Sequence, residues 1–128
     1  MKRVIIADDS RTARMFIRRC LEIAGLRGAE FVEVGSGEEA LAALSAGGGD
    51  LLFTDFTMPG IDGAELVRRV KADPKWKGLV IIVITSAKSP AKDAELMSLG
   101  AAAVLGKPVA PPAIAQVLKQ LSITEAAS

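Results

Sequence analysis

Short apolar runs alternate along the chain with stretches in which apolar residues recur every three or four positions. The runs "KRVIIADD" and "LVIIVITS" are rich in β-branched residues and predict buried strands. A stretch such as "GAELVRRVKAD", with its apolar residues on one face, predicts an amphipathic helix. The run "LVIIVITS" is the most apolar in the chain, which is typical of a central parallel strand covered on both faces.

This alternation occurs five times, with a helix after each strand. Strands are predicted in "KRVIIADD", "EFVEVGS", "DLLFTDF", "LVIIVITS" and "AAAVLG", and helices in "SRTARMFIRRCLEIAG", "GEEALAALSAGGG", "GAELVRRVKAD", "SPAKDAELMSLG" and "APPAIAQVLKQLS". Five strand–helix pairs in a chain this short predict an α/β fold. The expected architecture is a doubly wound five-stranded parallel sheet with helices on both faces.

The first predicted helix carries the only cysteine of the chain. Ala13, Phe16, Ile17 and Cys20 recur at helical spacing and are predicted to face the core, and Gly25 closes the helix. Cys20 is therefore interpreted as a small core residue rather than as a nucleophile.

Length and hydropathy indicate a single domain. The chain has 128 residues, and half of them are hydrophobic. We expect the domain to span residues 1–122 and residues 123–128 to form a frayed, disordered tail. No apolar run approaches the roughly 20 residues that span a bilayer, and acids follow the first run too soon for a signal peptide. We therefore expect a cytoplasmic protein that does not contact a membrane.

Charge and histidine content narrow the functional classes. The net charge is +1, with acids and bases interspersed, so nucleic-acid binding is not expected. The chain has no histidine, which excludes histidine-based triads, histidine metal sites and self-phosphorylation on histidine. Acid chemistry must rest on carboxylates, hydroxyls and lysine.

Polar residues stand at the ends of four predicted strands. Asp8 and Asp9 end the first strand, Asp55 the third, Thr85 the fourth and Lys107 the fifth. Each alone has a simple structural explanation, because aspartates cap turns and helices and strand-end hydroxyls satisfy backbone groups. The strand ends of an open parallel sheet, however, meet at the edge where ligands bind. We expect these five side chains to converge there.

Three converging carboxylates call for a cation. Two carboxylates about 4 Å apart repel by roughly 4 kcal/mol at an effective dielectric constant near 20. Oxygen ligands without histidine or thiolate favour Mg²⁺. A carboxylate nucleophile at Asp55, a metal ion, the Thr85 hydroxyl and the Lys107 ammonium together make a chemically sensible site for forming an acyl phosphate.

Four short motifs, in this order, resemble those of the response-regulator receiver family. They are "ADDS" after the first strand, "DFTMPGIDG" after the third, "VITS" closing the fourth and "GKP" after the fifth. The resemblance covers nearly the whole chain and implies a flavodoxin-like sheet with strand order 2-1-3-4-5. It also implies that Asp55 accepts a phosphoryl group, so that the chain is a signalling switch rather than an enzyme with a separate substrate.

The resemblance implies a set of metal ligands. Asp9, Asp55 and the backbone carbonyl of Thr57 would ligate Mg²⁺, and Asp8 would bind the metal through water.

The resemblance also implies a switch. Thr85, Ser86 and Lys107 would meet the phosphoryl group, and the peptide bond between Lys107 and Pro108 would be cis. Many family members carry Tyr or Phe three residues before the lysine, where this chain has Val104. The aromatic part of the switch is therefore missing.

A stand-alone receiver is expected to signal through other proteins. The resemblance implies a histidine kinase or histidine phosphotransfer protein as donor. It also implies an unidentified target on the face formed by the fourth helix, fifth strand and fifth helix. Arg11, Arg14 and Arg18 recur along one stripe of the first helix, beside the acids. We hypothesise that this stripe docks the donor, with a solvated charged face as the alternative.

Two other functions stay open. Aspartate-nucleophile phosphatases use similar groups but normally show Asp-x-Asp after the first strand, whereas here adjacent Asp8 and Asp9 follow it. The other alternative is a receiver-like module that binds partners without being phosphorylated. Turnover of a phosphomonoester would indicate the phosphatase, and absence of any aspartyl phosphate would indicate the module.

Overall fold

Five parallel strands form one sheet in the computed structural model, which describes residues 3–121. The strands are β1 (Arg3–Ala7), β2 (Glu30–Val34), β3 (Leu51–Asp55), β4 (Val80–Thr85) and β5 (Ala103–Gly106). Their order across the sheet is β2-β1-β3-β4-β5, and every neighbouring pair is parallel. The predicted fold class and strand order are confirmed.

A helix follows each strand, as the sequence pattern predicts. The helices are α1 (Arg11–Leu21), α2 (Gly37–Gly47), α3 (Gly63–Ala72), α4 (Pro90–Leu99) and α5 (Pro111–Gln120). The first four begin after a side chain that accepts a hydrogen bond from a backbone N–H of the first turn, supplied by Ser10, Ser36, Asp62 and Ser89. Helix α5 begins instead with two prolines, which need no N–H partner at that position.

Two apolar layers cover the two faces of the sheet. Because side chains alternate along a strand, β3 sends Leu52 to one layer and Leu51 and Phe53 to the other. Helices α2, α3 and α4 pack on the Leu52 side, and α1 and α5 pack on the Phe53 side. Strand β3 is buried along its whole length, so the scaffold holds its last residue, Asp55, rigidly.

The first helix departs from its predicted pattern. Ile17, Cys20 and Leu21 face the core, but Phe16 is 46% exposed, so its predicted core position is wrong. Neighbouring residues of a helix point about 100° apart, and Ile17 takes the inward direction. The regular helix also ends at Leu21, followed by a wide π-type turn, Glu22–Leu26, in which Gly25 adopts φ 121°.

Parts of the sequence prediction concern residues or boundaries that the structure leaves untested. The expected tail at residues 123–128 lies outside the described residues, and the domain boundary at residue 122 stays a prediction. Within residues 3–121, no helix is long and apolar enough to cross a membrane.

Candidate functional site

Polar side chains gather at the carboxyl edge of the otherwise apolar sheet. Asp8 directly follows β1, Asp55 ends β3 and Thr85 ends β4, and these residues are 1%, 5% and 2% exposed. Lys107 follows β5 and reaches back across the edge toward both aspartates. Because all five strands are parallel, their carboxyl ends meet at one edge of the sheet.

Asp8, Asp9 and Asp55 form a compact acidic cluster. One carboxylate oxygen from each lies within 4.8 Å of the others, and only Asp9 is exposed. Carboxylates this close repel one another by several kcal/mol unless a cation lies between or beside them. The cluster predicted from the strand ends is therefore present in the fold.

Lys107 supplies one positive charge to the cluster. Its Nζ donates a hydrogen bond to Asp55 Oδ2 at 3.0 Å and lies 3.6 Å from Asp8 Oδ2. Burial alone would lower the pKa of Lys107, but the hydrogen bond and charge of Asp55, aided by the charge of Asp8, outweigh it. The pKa of Lys107 therefore lies above its ordinary value of 10.5. Lys107 is a fixed ammonium at neutral pH.

One oxygen of Asp8 has an ion-pair contact with Lys107 but no hydrogen-bond donor. Its Oδ1 accepts a hydrogen bond from the Ser10 N–H at 2.9 Å, whereas the buried Oδ2 has no hydrogen-bond donor. Burial raises the pKa of Asp8 above its ordinary value of 3.8, the Ser10 N–H opposes this rise, and the charge of Asp55 adds to it. A buried oxygen without a donor, beside two further carboxylates, fits a hard divalent cation such as Mg²⁺.

The loop after β3 folds closely against the site. The Phe56 N–H donates to the Ile84 carbonyl at 2.8 Å, and the Gly63 N–H donates to the Phe56 carbonyl at 2.6 Å. A Cβ on Gly63 would lie 2.8 Å from the Phe56 Cα, so this approach requires glycine. Thr57 is exposed in the same loop. Its carbonyl as a metal ligand stays a prediction.

The predicted switch residues Thr85 and Ser86 lie at the carboxyl end of β4. The Thr85 Oγ1 accepts a hydrogen bond from the Ala87 N–H at 3.1 Å, and Ser86 is exposed. The peptide bond between Lys107 and Pro108 is cis. Val104 is half-buried on β5 and lines an open groove of about 310 Å³ between β5 and α5.

Comparison with known proteins agrees with this geometry. A family model described as the response regulator receiver domain matches residues 4–119. The chain belongs to this family. It is 36% identical over 118 residues to the chemotaxis protein CheY of Pseudomonas aeruginosa, covering 92% of this chain and 90% of that protein. It is 33% identical over 119 residues to CheY1 of Helicobacter pylori, covering 92% and 91%.

Solved receiver structures share the fold. The chemotaxis response regulator CheY4 of Vibrio cholerae aligns with a TM-score of 0.80 and 32% identity over 95% of this chain and 97% of that one. A response regulator of Chloroflexus aurantiacus aligns with a TM-score of 0.82 and 31% identity over 94% and 98%. Receiver domains of this family are signalling switches that work with histidine kinases or phosphotransfer proteins, and they bind Mg²⁺ at an acidic pocket.

Sequence reasoning missed the local role of Arg14 in this receiver. Its Nη1 donates to the backbone carbonyl of Asp8 at 2.7 Å, and its Nε lies 3.4 Å from Glu33 Oε1. Arg18 also pairs with Glu33, whereas Arg11 is exposed. The three arginines therefore do not form one free basic stripe. A long side chain one helical turn after "ADDS" was the available signal, because such a residue can reach the end of β1.

Proposed function

We propose that the protein is a phosphorylation switch in which Asp55 accepts a phosphoryl group from the phosphohistidine of a kinase or phosphotransfer protein. The observation that carries this proposal is the placement of Asp55. It is a buried strand-end carboxylate, hydrogen-bonded to Lys107 at 3.0 Å and clustered with Asp8 and Asp9 within 4.8 Å. The family membership supports the same reading.

Three side chains, Asp55, Lys107 and Thr85, would have different roles in phosphoryl transfer. An Asp55 oxygen attacks phosphorus, the phosphorus–nitrogen bond breaks, and the imidazole leaves with the electron pair and takes up a proton. The Lys107 ammonium, already beside Asp55, then donates to a phosphoryl oxygen. Thr85 follows Ile84, which pairs in register with Asp55, and its hydroxyl would turn from the Ala87 N–H toward the new oxygens.

Mg²⁺ is the cofactor that this site would hold. The carboxylates of Asp8, Asp9 and Asp55 and the Thr57 carbonyl are its proposed ligands, with Asp8 binding through water. When bound, the ion neutralises charge as a phosphate approaches three carboxylates. Within the described residues, Lys107 is the cation seen to contact Asp8 and Asp55. Its single positive charge does not balance three carboxylates, and a divalent ion would supply the missing positive charge.

The test is intact-mass measurement after incubation with a small acyl-phosphate donor, with and without Mg²⁺. We expect one phosphoryl group per chain, only with the divalent ion, and none in Asp55→Asn. Asp62→Asn is the matched control, because Asp62 is exposed and asparagine also caps a helix, so it should label normally. Labelling of Asp55→Asn at the wild-type rate would contradict the assignment. Turnover of a phosphomonoester would instead indicate the phosphatase.

Two surfaces are proposed for partners. The donor would dock over α1, beside the acidic cluster, where Arg11 and Arg18 lie. The downstream target would bind the face of α4, β5 and α5, where the groove beside Val104 opens. A cytoplasmic location and the absence of nucleic-acid and membrane contacts stay predictions from the sequence.

A further inference from the structure

Arg14 is held differently from the other arginines of α1. Its side chain is only 17% exposed, compared with 43% for Arg18, and Arg11 and Arg19 are exposed. The Nη1 of Arg14 donates a short hydrogen bond of 2.7 Å to the Asp8 carbonyl oxygen. A charged donor at this distance makes one of the stronger hydrogen bonds found in proteins.

This hydrogen bond fixes the backbone that carries two of the three carboxylates. The Asp8 N–H donates to the Val34 carbonyl at 3.1 Å, and the Asp8 carbonyl accepts from Arg14. Both peptide planes that flank Asp8 are therefore anchored. Because the peptide unit is planar, the direction of the Asp8 carbonyl also sets where the chain continues to Asp9.

Glu33 on β2 holds the guanidinium in place. Its Oε1 lies 3.4 Å from the Arg14 Nε, and its side chain is 23% exposed. Glu33 pairs in register with Ile6 on β1, so it sits beside the strand that ends at the acids. Arg14 thereby connects three elements, with its backbone on α1, one partner at the end of β1 and the other on β2.

We propose that Arg14 is a positioning residue for the metal site, which orients Asp8 and Asp9 by fixing the peptide between them. The inference rests on the proposed function, because it assumes that these carboxylates bind Mg²⁺. It differs from the docking role expected from the sequence, since the guanidinium is occupied by Asp8 and Glu33 rather than presented to a partner.

The direction of the change in Mg²⁺ affinity distinguishes a positioning role of Arg14 from a purely electrostatic one. A positive side chain near a cation site repels the cation, so removal of its charge alone would strengthen Mg²⁺ binding. Loss of positioning acts in the opposite direction. Residues that orient metal ligands without touching the metal typically change the metal affinity 10- to 100-fold, which is about 1.4 kcal/mol or more. This change exceeds the effect of one screened surface charge.

The experiment is calorimetric titration of the full chain with Mg²⁺ in wild type, Arg14→Met and Arg19→Met. We expect the Kd for Mg²⁺ to rise about tenfold in Arg14→Met. In the control Arg19→Met, which removes the same charge from an exposed position of α1, the Kd should stay close to the wild-type value. With an acyl-phosphate donor, the Mg²⁺ concentration for half-maximal labelling should rise by the same factor, while the rate at saturating Mg²⁺ should fall less.

Two further variants separate positioning from general stability. Arg14→Lys keeps the charge and one donor, so it should restore part of the affinity. Glu33→Gln leaves Arg14 in place but weakens its anchor, so it should weaken Mg²⁺ binding a few-fold, even if Arg14→Met fails to fold. Unchanged or tighter binding in Arg14→Met, or wild-type affinity in both Arg14→Lys and Glu33→Gln, would overturn the proposal. A wild type that binds no Mg²⁺ would instead overturn the proposed function, and this inference with it.

Discussion

At the scale of single residues, Asp8 is a carboxylate whose burial is unfavourable. It is 1% exposed, one of its oxygens has no hydrogen-bond donor, and burial raises its pKa. A carboxyl group with a raised pKa contributes stability below its unfolded value of 3.8, and this contribution is lost as pH rises through the folded value. At neutral pH and without metal, the Asp8 carboxylate therefore destabilises the fold.

Asp8→Asn should consequently stabilise the metal-free protein at pH 7. Asparagine keeps an acceptor for the Ser10 N–H and removes the buried charge. We expect a gain of about 1 kcal/mol, or roughly 4 °C in Tm for a domain of this size. The advantage should shrink as pH falls through the raised folded-state pKa and vanish below 3.8, where the wild-type carboxyl is protonated in the unfolded chain as well. Thermal unfolding across a pH series with chelator measures this.

The same variant should respond less to Mg²⁺. A ligand that binds only the folded state raises Tm more when it binds more tightly, and Asp8→Asn lacks one of the proposed carboxylates. A chelated Asp8→Asn protein that is less stable than wild type at pH 7 would show that Lys107 already compensates the charge of Asp8.

At the scale of elements, the segment between β4 and α4 is where phosphorylation would change the shape. Thr85 accepts from the Ala87 N–H, and Lys88 pairs with Asp93 in the first turn of α4. If the Thr85 hydroxyl turns to a phosphoryl oxygen, the Ala87 N–H loses its acceptor and the segment must rearrange. Such a differential contact is what a shift between two conformations requires.

Lys107→Ala should uncouple phosphorylation from this rearrangement. The variant removes the ammonium that would hold the phosphoryl group. It leaves the nucleophile Asp55 in place, so we expect some labelling to remain. Phosphorylation should then leave amide exchange in residues 87–106 nearly unchanged, whereas wild type should show a modest change. We expect the wild-type change to be modest because Val104 has no ring to move into the core. Lys119→Ala, at an exposed position of α5, is the control. An equal exchange response in Lys107→Ala and wild type would contradict the coupling.

The sequence predicted the order and type of these elements because alternating apolar runs and helical spacing reflect burial directly. It also placed Asp8, Asp55 and Lys107 at one edge, since parallel topology alone brings strand ends together. It misplaced Phe16 because helical spacing leaves about one residue of uncertainty in the inward direction. It put Arg14 within reach of the end of β1, but it could not single out the Asp8 carbonyl as the acceptor, because every residue carries a backbone carbonyl.

At the scale of the whole molecule, α1 presents a mixed surface beside the acidic cluster. Phe16 and Met15 are 46% and 57% exposed, and Arg11 lines a surface pocket together with Met15. A groove of about 430 Å³ runs from Asp8 and Lys107 past Phe16. Apolar side chains flanked by arginines suit a partner helix with apolar and acidic residues. This extends the docking hypothesis beyond charge alone.

A test of docking must leave Arg14 intact, because that side chain holds the Asp8 carbonyl. Arg11→Gln combined with Arg18→Gln neutralises two positive side chains on the outer part of α1 without adding acids beside Glu33. We expect phosphotransfer from the cognate kinase or phosphotransfer protein to slow roughly threefold at low salt, because complementary charge mainly raises the association rate. The effect should fade near physiological salt, where the Debye length is about 8 Å. Labelling by a small acyl-phosphate donor should not change, since that donor needs no docking surface.

Lys75→Gln with Lys77→Gln is the control, because it removes the same charge at the amino end of β4, opposite the site, and should leave transfer unaffected. Equal transfer rates for wild type and the Arg11 and Arg18 variant across a salt series would assign these arginines to an ordinary solvated face.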